Sequence, residues 1–211
     1  MSVRYSINGK DFKAFGVRVS SSKGFADTLK RKPVNQYDWA EYHGVSLDLD
    51  KPRFMEREIE LQCFIEGENW QKLFDNFNLM VRNEFSKPGT QRLHIEPHGY
   101  KILPYEVFMM SDVVLNKTFK EGKMVALFTL KLIEPNPIKK VLKVNGPVVT
   151  LSYESETETE IFWGNGTKSV VPGNAAVSNK SLPEGSIIVI AGDIDSIKNM
   201  TTDAEVVWQK L

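Results

Sequence analysis

Residues 43–85 read HGVSLDLDKPRFMEREIELQCFIEGENWQKLFDNFNLMVRNEF, and the hydropathy period changes halfway along. From Arg57 to Glu66, Ile59, Leu61, Cys63 and Ile65 alternate with Glu58, Glu60, Gln62 and Glu66, with Phe64 the exception. Period-2 alternation predicts a strand with one buried face. Gly67 then supplies a turn, and Asn69 suits a helix N-cap. Trp70, Leu73, Phe74, Phe77, Met80 and Val81 fall at i, i+3, i+4, i+7, i+10 and i+11, the apolar stripe of an α-helix. Lys87-Pro88-Gly89 stops it, so one helix is predicted over about 69–85. An aromatic stripe at this spacing reads as core, and the stretch contains no reactive constellation.

On the N-terminal side, Val3–Ile7 and Phe15–Val19 read as strands, with Asn8-Gly9 as a two-residue hairpin signal. Residues 20–38 have little periodicity and read as a long excursion or arm carrying Lys30, Arg31 and Lys32, then Pro33. Val45–Leu49 reads as a strand. On the other side follow Arg92–Glu96, Ile102–Phe108, Asp112–Leu115 and Met124–Ile133, with Pro104 marking an edge or a bulge. Glu134-Pro135-Asn136-Pro137 suits a stiff linker. Beyond it, Val148–Ile161, Ser186–Ala191 and Ala204–Trp208 alternate with turns such as Trp163-Gly-Asn-Gly-Thr167. The predicted fold class is mainly β, a β-rich α+β architecture. Residues 1–137 form a barrel- or sandwich-like unit with one packed helix, and residues 138–211 form a small β-sandwich.

The 211 residues are 41% hydrophobic and 26% charged, with a formal net charge of 0. That balance argues against nucleic acid or a membrane surface as partner. Residues 1–140 carry 22 basic and 18 acidic side chains, and residues 141–211 carry 5 and 9, a split of +4 and −4. This supports a boundary and permits head-to-tail attraction between copies. One cysteine excludes an intramolecular disulfide, and Cys63 on an apolar face reads as an inert thiol. The first residues show no secretory signal, so synthesis in the cytoplasm is expected.

Candidate chemistry reduces to structural readings. His94 and His98 have metal-like spacing only on a helix; on a strand they stand ~13 Å apart at ~3.3 Å rise per residue. Glu154, Glu156, Glu158 and Glu160 alternate as one solvated strand face. WGNGT lacks the Lys-Ser/Thr ending and the helix of a phosphate loop. Asp193 and Asp195 suit a turn. No enzyme, no cofactor and no metal are expected. Tyr153 and Trp163 are the candidate stacking platforms for a glycan.

The order of the first-half motifs resembles the N-terminal domain of phage distal tail proteins. The carriers are Ser6-Ile-Asn-Gly-Lys-Asp-Phe, Phe15-Gly-Val, Gly44-Val-Ser-Leu-Asp-Leu and Arg57-Glu-Ile-Glu-Leu-Gln-Cys-Phe-Ile-Glu-Gly. The helix, Arg92-Leu-His-Ile and Ala126-Leu-Phe-Thr-Leu-Lys-Leu-Ile-Glu-Pro complete them. The resemblance implies a structural protein of the virion tail. It implies a ring of copies, commonly a hexamer, between tail tube and tail tip, with no catalytic residues. It makes residues 20–43 an inter-subunit arm, with Lys30, Arg31, Lys32, Tyr37 and Trp39 as contact residues. The C-terminal part departs from that family. Ile161-Phe-Trp-Gly-Asn-Gly-Thr and Ile187-Ile-Val-Ile-Ala-Gly-Asp resemble small immunoglobulin-like modules with a W-G-D-G turn, Asn165 standing in place of Asp. A host glycan bound by this module is the alternative partner.

Overall fold

The structure is a computed structural model that describes residues 3–41, 43–47, 49–120, 122–173 and 176–211. The first half runs β1 (Val3–Ile7), β2 (Lys10–Asp11), a 3₁₀ turn (Phe12–Phe15), β3 (Val17–Lys23), β4 (Gln36–Tyr37), β5 (Ser46–Leu47) and β6 (Arg57–Gly67). Then come α1 (Trp70–Met80), β7 (Gln91–Pro97), β8 (Leu103–Met109), β9 (Asn116–Lys120) and β10 (Lys123–Glu134). Eight of these strands form one antiparallel sheet in the order β2-β1-β7-β8-β10-β6-β3, with β9 also on β10. The sheet curls so that β1 meets β3 through Tyr5 Oη and Ser22 Oγ, 3.0 Å apart, without closing.

The predicted alternation holds residue for residue in β6: Ile59, Leu61, Cys63 and Ile65 are buried. Their cross-strand partners on β10 are Leu132, Leu130, Phe128 and Ala126, all of them buried. α1 lies over this face. Asn69 caps it, its side-chain oxygen accepting from Lys72 N at 2.8 Å, worth about 1 kcal/mol. Leu73, Met80 and Val81 are buried, and Trp70, Phe74 and Phe77 pack on the core's margin. Phe77 meets Phe128 edge-on at 5.3 Å. The helix continues to Phe85 as a wider π turn. Cys63 is buried, and burial pushes its thiol up to about 12, so it stays protonated.

Three expectations shift. Phe15 ends a 3₁₀ turn capped by Asp11, and the strand starts at Val17 and runs to Lys23. Val45–Leu49 reduces to the two paired residues of β5, with Asp48 outside the described residues. Asp112–Leu115 has no strand partner, and pairing begins at Asn116. Pro104 sits inside the sheet, paired with His94. It is tolerated because β10 reaches β8 only at Phe108 and Met109, leaving the other side of Pro104 unpaired.

The second half runs β11 (Lys139–Lys143), β12 (Val148–Glu154), β13 (Thr159–Phe162), β14 (Lys168–Val171), β15 (Ala176–Ser181), β16 (Ile187–Gly192), β17 (Lys198–Thr202) and β18 (Glu205–Trp208). A five-stranded sheet, β14-β13-β16-β11-β18, faces a three-stranded one, β15-β12-β17. Between them pack Leu142, Leu151, Tyr153, Trp163, Ile188 and Ile190. The other face of the five-stranded sheet is covered too. Val141, Phe162, Ile187, Val189 and Ala191 pack with Ile102 from the first half and with Trp208 and Leu211. This explains the unbroken apolar run of β16, since a strand covered on both faces loses its polar alternation.

The Glu154–Glu160 series is not one strand face. Glu154 ends β12, residues 155–158 turn, and Glu160 lies in β13. The carboxylates take separate partners: Glu154 accepts from Asn199, Glu156 pairs with Lys198, and Glu160 pairs with Lys168.

Candidate functional site

The segment 20–43, where the resemblance implies an arm, is an exposed arm. It leaves the sheet at Gly24, whose φ is +85°; a Cβ there would stand 1.8 Å from Glu58 O, so the chain crosses β6 closer than any side chain allows. Lys30–Lys32 then run against Arg53–Met55, with Lys32 N donating to Arg53 O at 2.9 Å and Met55 N to Lys30 O at 2.8 Å. Lys30, Arg31 and Lys32 are all exposed. Beyond them β4 and β5 form a two-stranded ribbon. Tyr37 and Trp39 stack on each other, ring centroids 6.4 Å apart, and remain 51% and 55% exposed. Six of the sixteen exposed large apolar side chains among the described residues lie between 34 and 49: Val34, Tyr37, Trp39, Val45, Leu47 and Leu49. Such a concentration of exposed apolar side chains makes the ribbon a candidate contact surface.

The root of the arm is built on buried charge. Arg57 and Glu134 are cross-strand partners on the inner face of β6 and β10, and Arg57 Nε donates to Glu134 Oε2 at 3.2 Å. Lys139, fully buried at the start of β11, donates to the other Glu134 oxygen. Burial opposes the charge on both members of that pair, raising the Glu134 carboxyl and lowering Lys139 to about 8. Tyr105 supplies a ring beside both cations, 4.2 Å from Lys139 Nζ and 5.6 Å from Arg57 Cζ. The Arg57 guanidinium also donates to Gly24 O at 3.3 Å and Phe25 O at 3.1 Å, and Tyr105 Oη donates to Phe25 O at 2.6 Å. One cluster therefore joins sheet, second half and arm. A surface ion pair, Arg53–Asp193 at 2.9 Å, ties the returning limb of the arm to the second half.

A second polar hub fixes the opposite corner. The Glu84 carboxylate accepts from Asn8 Nδ2, Lys10 Nζ and Lys87 Nζ at 3.0, 2.6 and 2.6 Å. Burial works against the charge, but the two lysines and the amide outweigh it and hold the carboxyl at about 2. The shell is thin, since both lysines are half exposed. On β7, burial lowers His94 to about 4, so its ring is neutral at pH 7, and its Nε2 has no hydrogen-bond partner. Both groups bind fewer protons folded than unfolded. Stability should therefore be full above about pH 6.5 and fall on acidification, first as pH drops from 6.5 toward 4 through His94. It should fall again from about 4.5 toward 2 through Glu84, that second loss on the order of 2 kcal/mol. Urea melts at pH 7.5, 5 and 3 check this; His94→Gln should remove the upper slope and leave the lower.

Tyr153 and Trp163, the expected stacking platforms, are buried in the second half's core, 1% and 0% exposed. Tyr153 Oη bonds Thr159 Oγ1 at 2.7 Å and Trp163 Nε1 donates to Ser169 Oγ at 2.8 Å. Neither ring has a face for a sugar, and that assignment is withdrawn. The WGNGT segment is the predicted turn, with Gly164 and Gly166 at positive φ and Thr167 N donating to Asn165 Oδ1 at 3.0 Å.

Between the halves lies a cleft of about 1080 Å³. One wall is the outer face of β7 and β8, with Arg92, His94, Glu106 and Phe108; the other is β13 and β16, with Glu160, Phe162, Val189 and Ala191. Arg92 crosses at one end, paired with Glu106 and donating to the carbonyls of Ile187 and Phe162. Sequence reasoning did not single out this cleft, because its walls come from four separate segments. No group of three or more His, Cys, Asp or Glu side chains among the described residues could hold a metal ion. No helix among them is long and apolar enough to cross a membrane.

No protein-family model matches the sequence, and no curated protein matches it. Among solved structures, the chain is similar to the crystal structure of SPP1 Dit (gp 19.1), described as a paradigm of the hub adsorption apparatus in phages infecting Gram-positive hosts. The TM-score is 0.51 at 11% identity, and the superposition covers 96% of this chain and 97% of that one. At that identity the likeness is one of fold. Its extent takes it past residue 137 into the second half.

Proposed function

We propose that this chain is a phage or prophage tail structural protein, a ring-forming baseplate hub adaptor between tail tube and tail tip, acting by assembly without catalysis. The observation that carries the reading is the fold shared with SPP1 Dit over nearly the whole of both chains. The motif order in residues 1–137 points to the same family on independent grounds. The arm gives the reading a mechanism: an apolar ribbon with its own strand pair is suited to engage a neighbour by β-augmentation. Donor and acceptor surfaces that differ make a heterologous contact, which closes into a ring when the rotation allows. In this reading residues 1–137 form the ring and residues 138–211 are a sandwich module packed against them. The protein is made in the host cytoplasm and resides in the virion tail.

Light scattering and negative-stain imaging of the full chain at high concentration, alone and with co-expressed tail tube and tip proteins, test the proposal. Rings of uniform size are expected. A strict monomer that also fails to form rings with its tail partners would sink it.

A further inference from the structure

We propose that the cleft between the two halves is a binding site for a neutral saccharide. Charge excludes most other ligands. Six charged side chains line the cleft, three of each sign, and each already has a partner. Arg92 pairs with Glu106, Lys168 with Glu160, Lys87 with Glu84, and Glu134 with both Arg57 and Lys139. The His94 ring is neutral. An anionic or cationic ligand would have to break one of these pairs, whereas a neutral one would not.

A peptide is disfavoured on different grounds. The walls are faces of β7, β8, β13 and β16; β7, β13 and β16 have a neighbouring strand on both sides, and the stretch of β8 that β10 leaves unpaired, Leu103–Val107, is buried. An extended peptide gains affinity mainly by pairing its backbone with a free strand edge, and the walls offer none. Recognition there must come from side chains. What the cleft offers is one partly exposed aromatic ring, Phe108, over a floor where Phe162, Val189 and Ala191 are almost wholly buried, rimmed by neutral hydrogen-bonding groups such as Asn136, Asn165 and Thr167. Phe108 keeps 36% of its surface exposed. An apolar contact with a few polar groups that fix orientation is the usual build of a small-ligand site, and the volume lies just above the usual upper end for one. A pyranose matches it chemically, with a C–H face for the phenyl ring and hydroxyls for amides and threonine.

Saturation-transfer NMR on the full chain tests this with three kinds of probe at millimolar concentration. They are neutral hexoses, N-acetylhexosamines and their disaccharides; glycerol phosphate; and an uncharged extended peptide. A saturable signal is expected from at least one neutral saccharide, weakened at least tenfold by Phe108→Ser and blocked by Thr167→Arg at the rim. Val170→Ser, on an exposed apolar residue outside the cleft, should leave it unchanged. Circular dichroism identifies any variant that has not folded, and the remaining rim variant then carries the test. Absence of any saturable saccharide signal overturns the proposal. So does a signal that survives both cleft variants, or one given by glycerol phosphate or the peptide instead. The ring reading is independent of the result, since a monomer can bind a sugar and a ring can lack one.

Discussion

Glu134→Leu should destabilise the protein by about 3–5 kcal/mol, the cost of leaving a buried charge without its partner. Two cations, Arg57 and Lys139, converge on this one carboxylate. Leucine would leave the Lys139 ammonium beside the Tyr105 ring with no hydrogen-bonded anion, only the more remote pull of the Glu106 carboxylate. Arg57 would retain its carbonyl acceptors at Gly24 and Phe25, so the larger part of the loss is assigned to Lys139. The double variant Glu134→Leu/Lys139→Met should regain much of the stability, because an apolar pair of similar volume avoids the desolvation cost altogether. Denaturant melts of both singles and the double give the cycle. A single-variant loss below about 1 kcal/mol would show that water reaches the cluster. The same variants report on the arm. With Arg57 released from Glu134, the carbonyls of Gly24 and Phe25 are held less firmly, and trypsin should cut faster at Lys30 or Arg31.

Tyr37→Ser/Trp39→Ser should abolish assembly while leaving the fold intact. Both rings are more than half exposed and stack on each other, so their loss should change stability by no more than about 0.5 kcal/mol. Assembly through the arm would lose its two largest apolar contacts. Large aromatic side chains often dominate interface energy, with truncations costing about 2 kcal/mol or more. Because a ring repeats the same contact at each junction, that loss recurs around the circle. Sedimentation of wild type and variant at matched concentration is the measurement. A variant that still forms rings would remove these rings from the interface, while leaving a hub role through other surfaces open to test.

How much of this was legible in the sequence depended on whether polarity followed geometry. β6 and α1 were readable because Glu58, Glu60 and Gln62 stand where the solvent face falls and Leu73 and Met80 where the core does. The buried charges were misleading for the same reason. Arg57 is in phase with Ile59, Glu134 with Leu132 and Lys139 with Val141, but a charged side chain is read by default as a solvated one. The phase itself was the available signal: a charge at i±2 from buried residues on a regular strand lies on the buried face. Trp163 failed in the other direction. A tryptophan beside a glycine turn can be a platform or a core plug, and only its neighbours across the sandwich decide between them. The cleft left no trace in any single segment, since its walls meet only after the chain has folded. The arm was visible as a loss of periodicity, although its ribbon is too short to show a period of its own.

The two-sided cover on β16 bears on how such a chain could be inherited. A module passed between proteins by recombination must arrive with a finished surface, able to meet water wherever it lands. The five-stranded sheet is finished on one face by its own partner sheet and on the other by Ile102 of the first half together with Trp208 and Leu211. A cut at residue 137 would separate two surfaces that complete each other and split Lys139 from Glu134. Exchange by simple swapping at that point would be penalised, and the two halves should travel through lineages as one heritable unit. Variation is then left to the parts that carry no such debt: the ribbon of the arm and the turns at the sheet tips.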